Sequence, residues 1–499
     1  MGSMNPGKIQ RDAKVLIVGS GIAGISAALK LNVAGFKNVH ILEATGRSGG
    51  RIKTGKMGNN IVEIGAHCIH GPSEENPVFC LARQYGLLDP EALTPENQAM
   101  DVAGHPPWVP NFFTSSGRKV NSEVALPFQM TRLEILDETS DYQGKAEPFP
   151  SVGEFVRSKA MEKWKDADNA TRSLGFSVVS NMMKVECCFI GTHSMDAVGL
   201  SGLSLYKTLP GLDCTFPKGY EGLIKNLLLE IPPDTVTYNC PVRCIEWNNT
   251  EAQSTVKVEC EDGTGMTADH VIVTVSLGYL KKHHSAMFSP PLPLHKLQSI
   301  QRQGFGTNNK IYVEFDSPWW DADCEVIYFL WEDEDAMVDQ MPDIPSSWIK
   351  KLFGFTVLKP TERYGHVLCG WIAGHESEYM ETLSEQEVAQ SVTHLIRRFT
   401  GNPILTPKRV MRSQWFHDPW TCGSYSFPGI GCSLQDCNNL EEPLPNTGSQ
   451  PLQVLFAGEA THPCFYSTVH GALLSGWREA DRLISHYSNA PSNHLTSKL

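Results

Sequence analysis

The first residues able to do chemistry are three closely spaced glycines, in Gly19-Ser20-Gly21-Ile22-Ala23-Gly24. That spacing serves phosphates. Gly19 permits a tight turn, Gly21 lets the backbone approach a pyrophosphate, and Gly24 lets the next helix pack on the preceding strand. Ile22 and Ala23 open that helix, whose free N–H groups and positive dipole end would face the phosphates. Glu43 can accept hydrogen bonds from a ribose diol, as in an NAD or an FAD site, and Gly49-Gly50-Arg51, if not a plain surface turn, brings a cation that can neutralise a bound pyrophosphate, as a flavin in an extended pose would want.

Other reactive side chains are scattered. His67 and His70 flank Cys68 closely enough to suggest metal ligation, but no second cluster of fitting spacing follows, so no metal is expected. Lys310 ends a Gly-Thr-Asn-Asn string and precedes a strand-like Ile311-Tyr312-Val313. Glu186 and Asp213 lie among apolar or small residues, where a carboxylate needs a partner: a cationic ligand, an internal salt bridge or a helix cap.

The elements that must position these groups begin with Val15-Leu16-Ile17-Val18, an apolar run typical of a strand buried on both faces. An Ala/Leu-rich helix to Ala34-Gly35 and a second strand from Val39 to Leu42 complete a strand–turn–helix–strand unit ending at Glu43. His270 to Val275 reads as a further strand. The 499 residues exceed one ordinary core, so two domains are expected. A net charge of −13 argues against a nucleic-acid partner and can favour cationic small molecules. The 14 cysteines include no CxxC pair and read as reduced thiols of an intracellular protein, which makes the sequons at Asn169 and Asn248 chance matches. Without a run of about 18 apolar residues no membrane span is expected, and Met1-Gly2-Ser3-Met4 does not open a signal peptide. The terminal Ser497-Lys498-Leu499 reads as the address for a peroxisomal import receptor.

The sequence resembles the flavin-containing amine oxidase family over nearly its whole length. The resemblance rests on long strings: Gly65-Ala66-His67-Cys68-Ile69-His70-Gly71-Pro72, Gly191-Thr192-His193-Ser194-Met195-Asp196, Leu209-Pro210-Gly211-Leu212-Asp213-Cys214, Gly304-Phe305-Gly306-Thr307-Asn308-Asn309-Lys310 and Phe456-Ala457-Gly458-Glu459-Ala460-Thr461-His462. It is strongest to the branch acting on acetylated polyamines. The implied fold is α/β: a discontinuous Rossmann-like FAD-binding domain from 12–100, 206–295 and 406–488, and an α+β substrate-binding domain from 101–205 and 296–405. Residues 1–11 and 489–499 are expected to be flexible termini.

The resemblance also implies roles. Val242 would touch the adenine, Glu459 would reach the ribityl or pyrophosphate region, and His67, Thr468 and Val469 would contact the flavin. Lys310 would act beside the reactive ring, and a neutral His70 would accept from the substrate ammonium. Glu186 and Asp213 would hold distal ammonium groups, Phe189 and Asn308 would line the tunnel, Tyr425 would form one aromatic wall, and Ser467 would donate to an acetamide. Cys68 stands where relatives usually have tryptophan. Ser424 replaces the cysteine that bonds flavin in monoamine oxidases, so FAD is expected to be noncovalent, with Cys422 the nearby thiol. The implied reaction is FAD-dependent oxidation of acetylspermine or acetylspermidine by dioxygen to a shorter polyamine, an acetamido-aldehyde and hydrogen peroxide. Oxidation of free spermine is the rival reading, and a non-catalytic flavoprotein sensor of polyamines the reading from another class.

Overall fold

A computed structural model describes residues 11–100, 108–142, 151–248, 256–334, 336–339, 341–445 and 451–489. The terminal Ser497-Lys498-Leu499 lies outside the described residues.

The amino-terminal unit forms as its pattern dictates. Arg11–Val18 is a strand whose Val15, Leu16 and Ile17 are fully buried, because helices and strands cover it on both faces. It lies at the centre of a five-stranded parallel sheet, ordered Val454–Phe456, His270–Val273, Arg11–Val18, Phe36–Leu42, Val236–Thr237. Helix Ile22–Val33 buries Ile25, Ala27, Ala28 and Leu31 in the same core as Leu473, Ala480 and Leu483 of the last helix, Val469–Asn489. The two helices approach closely: a Cβ on Gly476 would sit 2.2 Å from the Ala23 carbonyl oxygen. The sheet is therefore assembled from chain segments more than four hundred residues apart.

A second, seven-stranded sheet carries the other half of the molecule. Its order is Arg409–Arg412, Asn308–Glu314, Val367–Ala373, Gly354–Val357, Val326–Leu330, Pro110–Thr114, Lys119–Val120. On one face lies helix Asn169–Ile190, with Val178, Val179, Met182, Met183 and Val185 buried. It is the one helix among the described residues long and apolar enough to cross a membrane, but 67% of its apolar window is buried. It also encloses Lys184, paired to Glu334 at 2.6 Å. These are properties of a core helix.

Two expected boundaries move. Arg409–Arg412, expected with the cofactor-binding segment from 406, is the edge of the seven-stranded sheet, paired with Asn308–Glu314. Helix Leu294–Arg302, expected largely beyond the boundary at 296, buries Ile300 in the core beneath the parallel sheet. Both shifts arise because strand pairing and apolar packing, not a change in composition, set where one layer ends.

Candidate functional site

The glycine turn adopts the geometry its spacing demands. Gly19 has φ +103°, a region closed to most side chains. A Cβ on Gly24 would fall 2.1 Å from the Gly19 carbonyl oxygen, so only glycine lets the helix approach. A Cβ on Gly21 would meet no protein atom within 4 Å, which leaves the face above it open to a ligand. The Gly49 amide donates to the Ser20 carbonyl at 2.9 Å and lays the Gly49-Gly50-Arg51 turn against the first.

Around these turns runs a cleft of about 220 Å³. It is lined by Gly19, Gly21, Ile22, Ala23, Glu43, Gly50, Arg51, Val242, Tyr425, Glu459, Thr468 and Val469, as expected for a dinucleotide site drawn from three parts of the chain. Gly24 lies beneath it. The Glu43 carboxylate is fixed by the amides of Ser20 and Thr45, each at 2.9 Å, and also accepts from both hydroxyls at 2.8 Å. Rotation of those hydroxyls frees acceptor positions for a diol while the amide bonds hold the carboxylate in place. Helix Val469–Asn489 begins at the same cleft, capped by Thr468 Oγ1, which accepts from the Gly471 amide at 3.0 Å. An open glycine face, two helix starts, an acid and an arginine form a donor set that fits FAD.

Glu459 does more than line the cleft. One oxygen accepts from Arg51 Nη1 at 2.8 Å, and the other accepts from Ser426 Oγ at 2.6 Å and the Ser467 amide at 2.7 Å. Arg51 also donates to the Ser424 carbonyl at 2.9 Å. The carboxylate thus aims the arginine, which lines the cleft as its cation.

A second cavity, about 500 Å³, opens from the first. Arg51, Ala66, Ser424, Tyr425 and Ser467 line both and mark the junction. Lys310, on strand Asn308–Glu314, lies near that junction with its Nζ donating to the carbonyls of Glu63 at 2.7 Å and Gly65 at 2.6 Å. The ammonium also sits 4.7 Å from the Trp371 ring centre. Burial pushes the Lys310 pKa below the ordinary lysine value. With two of its three donor positions taken by backbone, one remains for a water or substrate in the cavity.

His70, Phe189, Asp213 and Asn308 line this second cavity, and so does His67, expected at the cofactor, whose ring meets Trp371 edge-on at 6.1 Å. Four other expectations change. His70 was expected neutral; its Nδ1 instead contacts Asp213 Oδ2 at 2.5 Å. Desolvation alone would lower its pKa, but the Asp213 carboxylate outweighs it and holds the imidazole above its usual value. Asp213, expected to pair with a substrate ammonium, is committed to His70 and to the Gly71 amide at 3.1 Å, with its side chain only 2% exposed. Ser467, expected to donate to an acetamide, donates its hydroxyl to the Ser426 carbonyl. Glu186 lines neither cavity. Its neighbours Val185, Cys188 and Phe189 form the cavity stripe at the helical i, i+3, i+4 spacing, and residue 186 falls off it.

Asn308 is clamped by the same local network. Its Nδ2 donates to the Cys188 carbonyl at 3.0 Å and to Tyr425 Oη at 2.7 Å, while its Oδ1, on a residue 6% exposed, has no partner. Ser424 Oγ accepts from the Asn308 amide and donates to the Asn308 carbonyl, both at 2.8 Å. Cys422 lines neither cavity; its thiol donates to the Pro419 carbonyl at 3.4 Å. Trp371 and Trp108 are wall residues that sequence reasoning passed over, since a strand tryptophan reads as core. Among the described residues no His, Cys, Asp and Glu cluster is arranged to hold a metal ion.

The His70–Asp213 pair carries a prediction. Asp213→Asn keeps a hydrogen-bond acceptor but removes the charge, so the His70 ionisation in the kcat/KM profile should move to lower pH. The linked stability has a definite sign. With the folded pKa raised, the pair contributes fully below the ordinary value of 6.5 and loses that contribution as pH rises through the folded value. Tm measured against pH should therefore fall across that window in the wild type and run flatter in the variant. An unshifted profile would detach His70 from Asp213.

The profile of the flavin containing amine oxidoreductase family matches residues 22–484. The chain is 47% identical over 489 residues to the peroxisomal N(1)-acetyl-spermine/spermidine oxidase of Bos taurus, covering 95% of each. It is also 47% identical over 486 residues to the Homo sapiens protein of that name, again covering 95% of each. Polyamine oxidase 1 of Oryza sativa subsp. japonica is 31% identical over 532 residues, covering 98% of this chain and 100% of that one. A solved putrescine oxidase variant redesigned in cofactor binding superposes with a TM-score of 0.66 at 18% identity, covering 95% of this chain, which is a likeness of fold. The cleft at the open glycine turn and the adjoining cavity thus sit in a chain that is an FAD-dependent oxidoreductase and belongs to the flavin containing amine oxidoreductase family.

Proposed function

We propose that this enzyme oxidises acetylated polyamines at the junction between the two cavities. The observation that carries the reading is the second cavity itself: a 500 Å³ space beside the cofactor cleft, lined by aromatic rings and carboxylates. Such a lining suits a long, mostly apolar chain bearing ammonium groups. The named function of the two relatives 47% identical over 95% of the chain supports the same substrate class.

Bound FAD would supply the two-electron oxidation of the carbon–nitrogen bond beside the amine and the return of those electrons, with two protons, to dioxygen as hydrogen peroxide. The protein residues position and protonate. Lys310 offers its remaining Nζ position to a water or to the reacting nitrogen, and its lowered pKa eases a proton exchange there. Tyr425 and Trp371 bound the space in which the substrate chain lies. Asn308 Oδ1, buried and unpartnered, is an acceptor for an amide N–H and takes over the polar role first assigned to Ser467. Ser424 in place of a cysteine, with its hydroxyl spent on the Asn308 backbone, supports noncovalent FAD.

The test is steady-state peroxide release from acetylspermine, spermine and a monoamine, with product identification. Preference for acetylspermine supports the reading. A strong preference for free spermine overturns the acetyl specificity, and a flavin that acetylspermine does not bleach anaerobically points to a sensor.

The relatives are named peroxisomal, and the terminal Ser497-Lys498-Leu499 supports receptor-read peroxisomal import of this chain. Removing those three residues should leave turnover intact and disperse the protein through the cytosol. Continued import, seen by fluorescence microscopy, would refute the address.

A further inference from the structure

The substrate cavity holds a carboxylate that the reaction described above does not use. Asp213 and Glu325 are the two acidic residues that line it, and Asp213 is committed to His70 and the Gly71 amide. Glu325 immediately precedes strand Val326–Leu330 and is partly exposed. One of its oxygens accepts from the Val109 amide at 2.9 Å, and its backbone is pinned by the Val357 amide at 2.8 Å. Its other oxygen makes no hydrogen bond among the described residues. The side chain is thus held in place with acceptor capacity to spare.

Sheet register sets how far this acid lies from the chemistry. Lys310 pairs with Trp371, Gly354 pairs with Tyr328, and the intervening pairs align those two rows. Glu325 is therefore three strands across and three residues along from Lys310, about 17 Å between Cα atoms at ~4.8 Å per strand and ~3.3 Å per residue. Lys359 lines the same end, but it is exposed and its Nζ is drawn outward onto the Asp323 carbonyl at 3.0 Å. At the near end stands the buried, unpartnered Asn308 Oδ1. One acceptor near the cofactor cleft and one anionic acceptor far from it form a two-point gauge for a long cation.

The geometry points to Glu325 as the residue that binds the terminal ammonium of the longer acetylated polyamine and so ranks substrates by chain length. This rests on the polyamine reading above. A tetraamine carries one aminopropyl arm beyond the amine at which a triamine ends, and that arm brings an ammonium to the far end. Binding energy gained there places the reacting carbon near the cofactor cleft without touching the chemistry itself. The shorter chain ends before Glu325 and gains nothing from it.

The test uses the flavin-loaded enzyme and its Glu325→Gln variant, which keeps an acceptor for the Val109 amide and removes the charge. With N-acetylspermine, kcat/KM should fall roughly tenfold, through KM, at unchanged kcat. With N-acetylspermidine it should stay within about twofold, which also reports intact folding and flavin content. Equal losses for both substrates, or none for either, would overturn the role of Glu325 while leaving the polyamine reading standing. A wild-type enzyme that oxidises neither amine would overturn both.

Discussion

Lys310→Met will retain its flavin and lose roughly 10² in the rate of flavin bleaching by substrate. The retained flavin follows from position, because Lys310 does not line the cofactor cleft but reaches the adjoining cavity from strand Asn308–Glu314. The lost rate follows from chemistry. Methionine fills a similar space beside Trp371 but holds no proton, so the one Nζ position facing the cavity disappears. The Gly65 carbonyl also loses its donor, while the Glu63 carbonyl keeps that of Tyr312 Oη at 2.7 Å, so the change should cost about 1–3 kcal/mol of stability. Stopped-flow bleaching under anaerobic conditions measures the first effect and thermal melting of the holoenzyme the second. Unchanged reduction and reoxidation rates would remove Lys310 from the mechanism.

Replacing Arg51 with alanine should yield protein purified largely without FAD. Arg51 lines both cavities and brings the charge expected at the pyrophosphate. Its partner Glu459 is almost fully buried, with 6% of its side chain exposed, against 26% for Arg51. Removing the arginine strips the cleft of its cation and leaves a buried carboxylate uncompensated, a loss of about 3–5 kcal/mol for a buried pair. The visible flavin absorbance per protein, and a titration with added FAD, report the result. The double variant Arg51→Ala/Glu459→Gln should recover part of the stability but not the flavin, separating the ion pair from the phosphate contact. Wild-type flavin content in Arg51→Ala would contradict the role given to Arg51.

The parts of the site most legible in the sequence are those encoded within a short stretch. The strand, glycine turn, helix and acid from Val15 to Glu43 are contiguous, so spacing alone conveys their geometry. His70 and Asp213 meet although 143 residues separate them, and nothing in either local sequence reveals that the acid is already occupied. Ser467 reads as a free hydroxyl until its backbone, at φ +65°, turns it onto the Ser426 carbonyl. Glu186 was misplaced for a periodic reason: a helical stripe is three or four residues wide in phase, and a neighbour of a lining residue need not share it. Glu325 carried no motif at all. A single acid before an apolar strand is an ordinary turn residue, and only sheet register gives it a distance from Lys310. The boundaries at 296 and 406 moved for the same reason, since long-range pairing leaves no mark on local composition.

The clamp between Arg51 and Glu459 also sets a schedule for biosynthesis. The glycine turn leaves the ribosome early, but the carboxylate that aims its arginine emerges 408 residues later. The edge strand Val454–Phe456 and the helix Val469–Asn489 that closes on Ala23 come at the same late stage. A nascent chain elongating at about 5–20 residues per second therefore spends about 20–80 s with its cofactor cradle unfinished. FAD capture is therefore expected to follow synthesis of these late segments, and a carboxyl-terminal truncation that spares every glycine of the turn should still yield protein that purifies with little flavin.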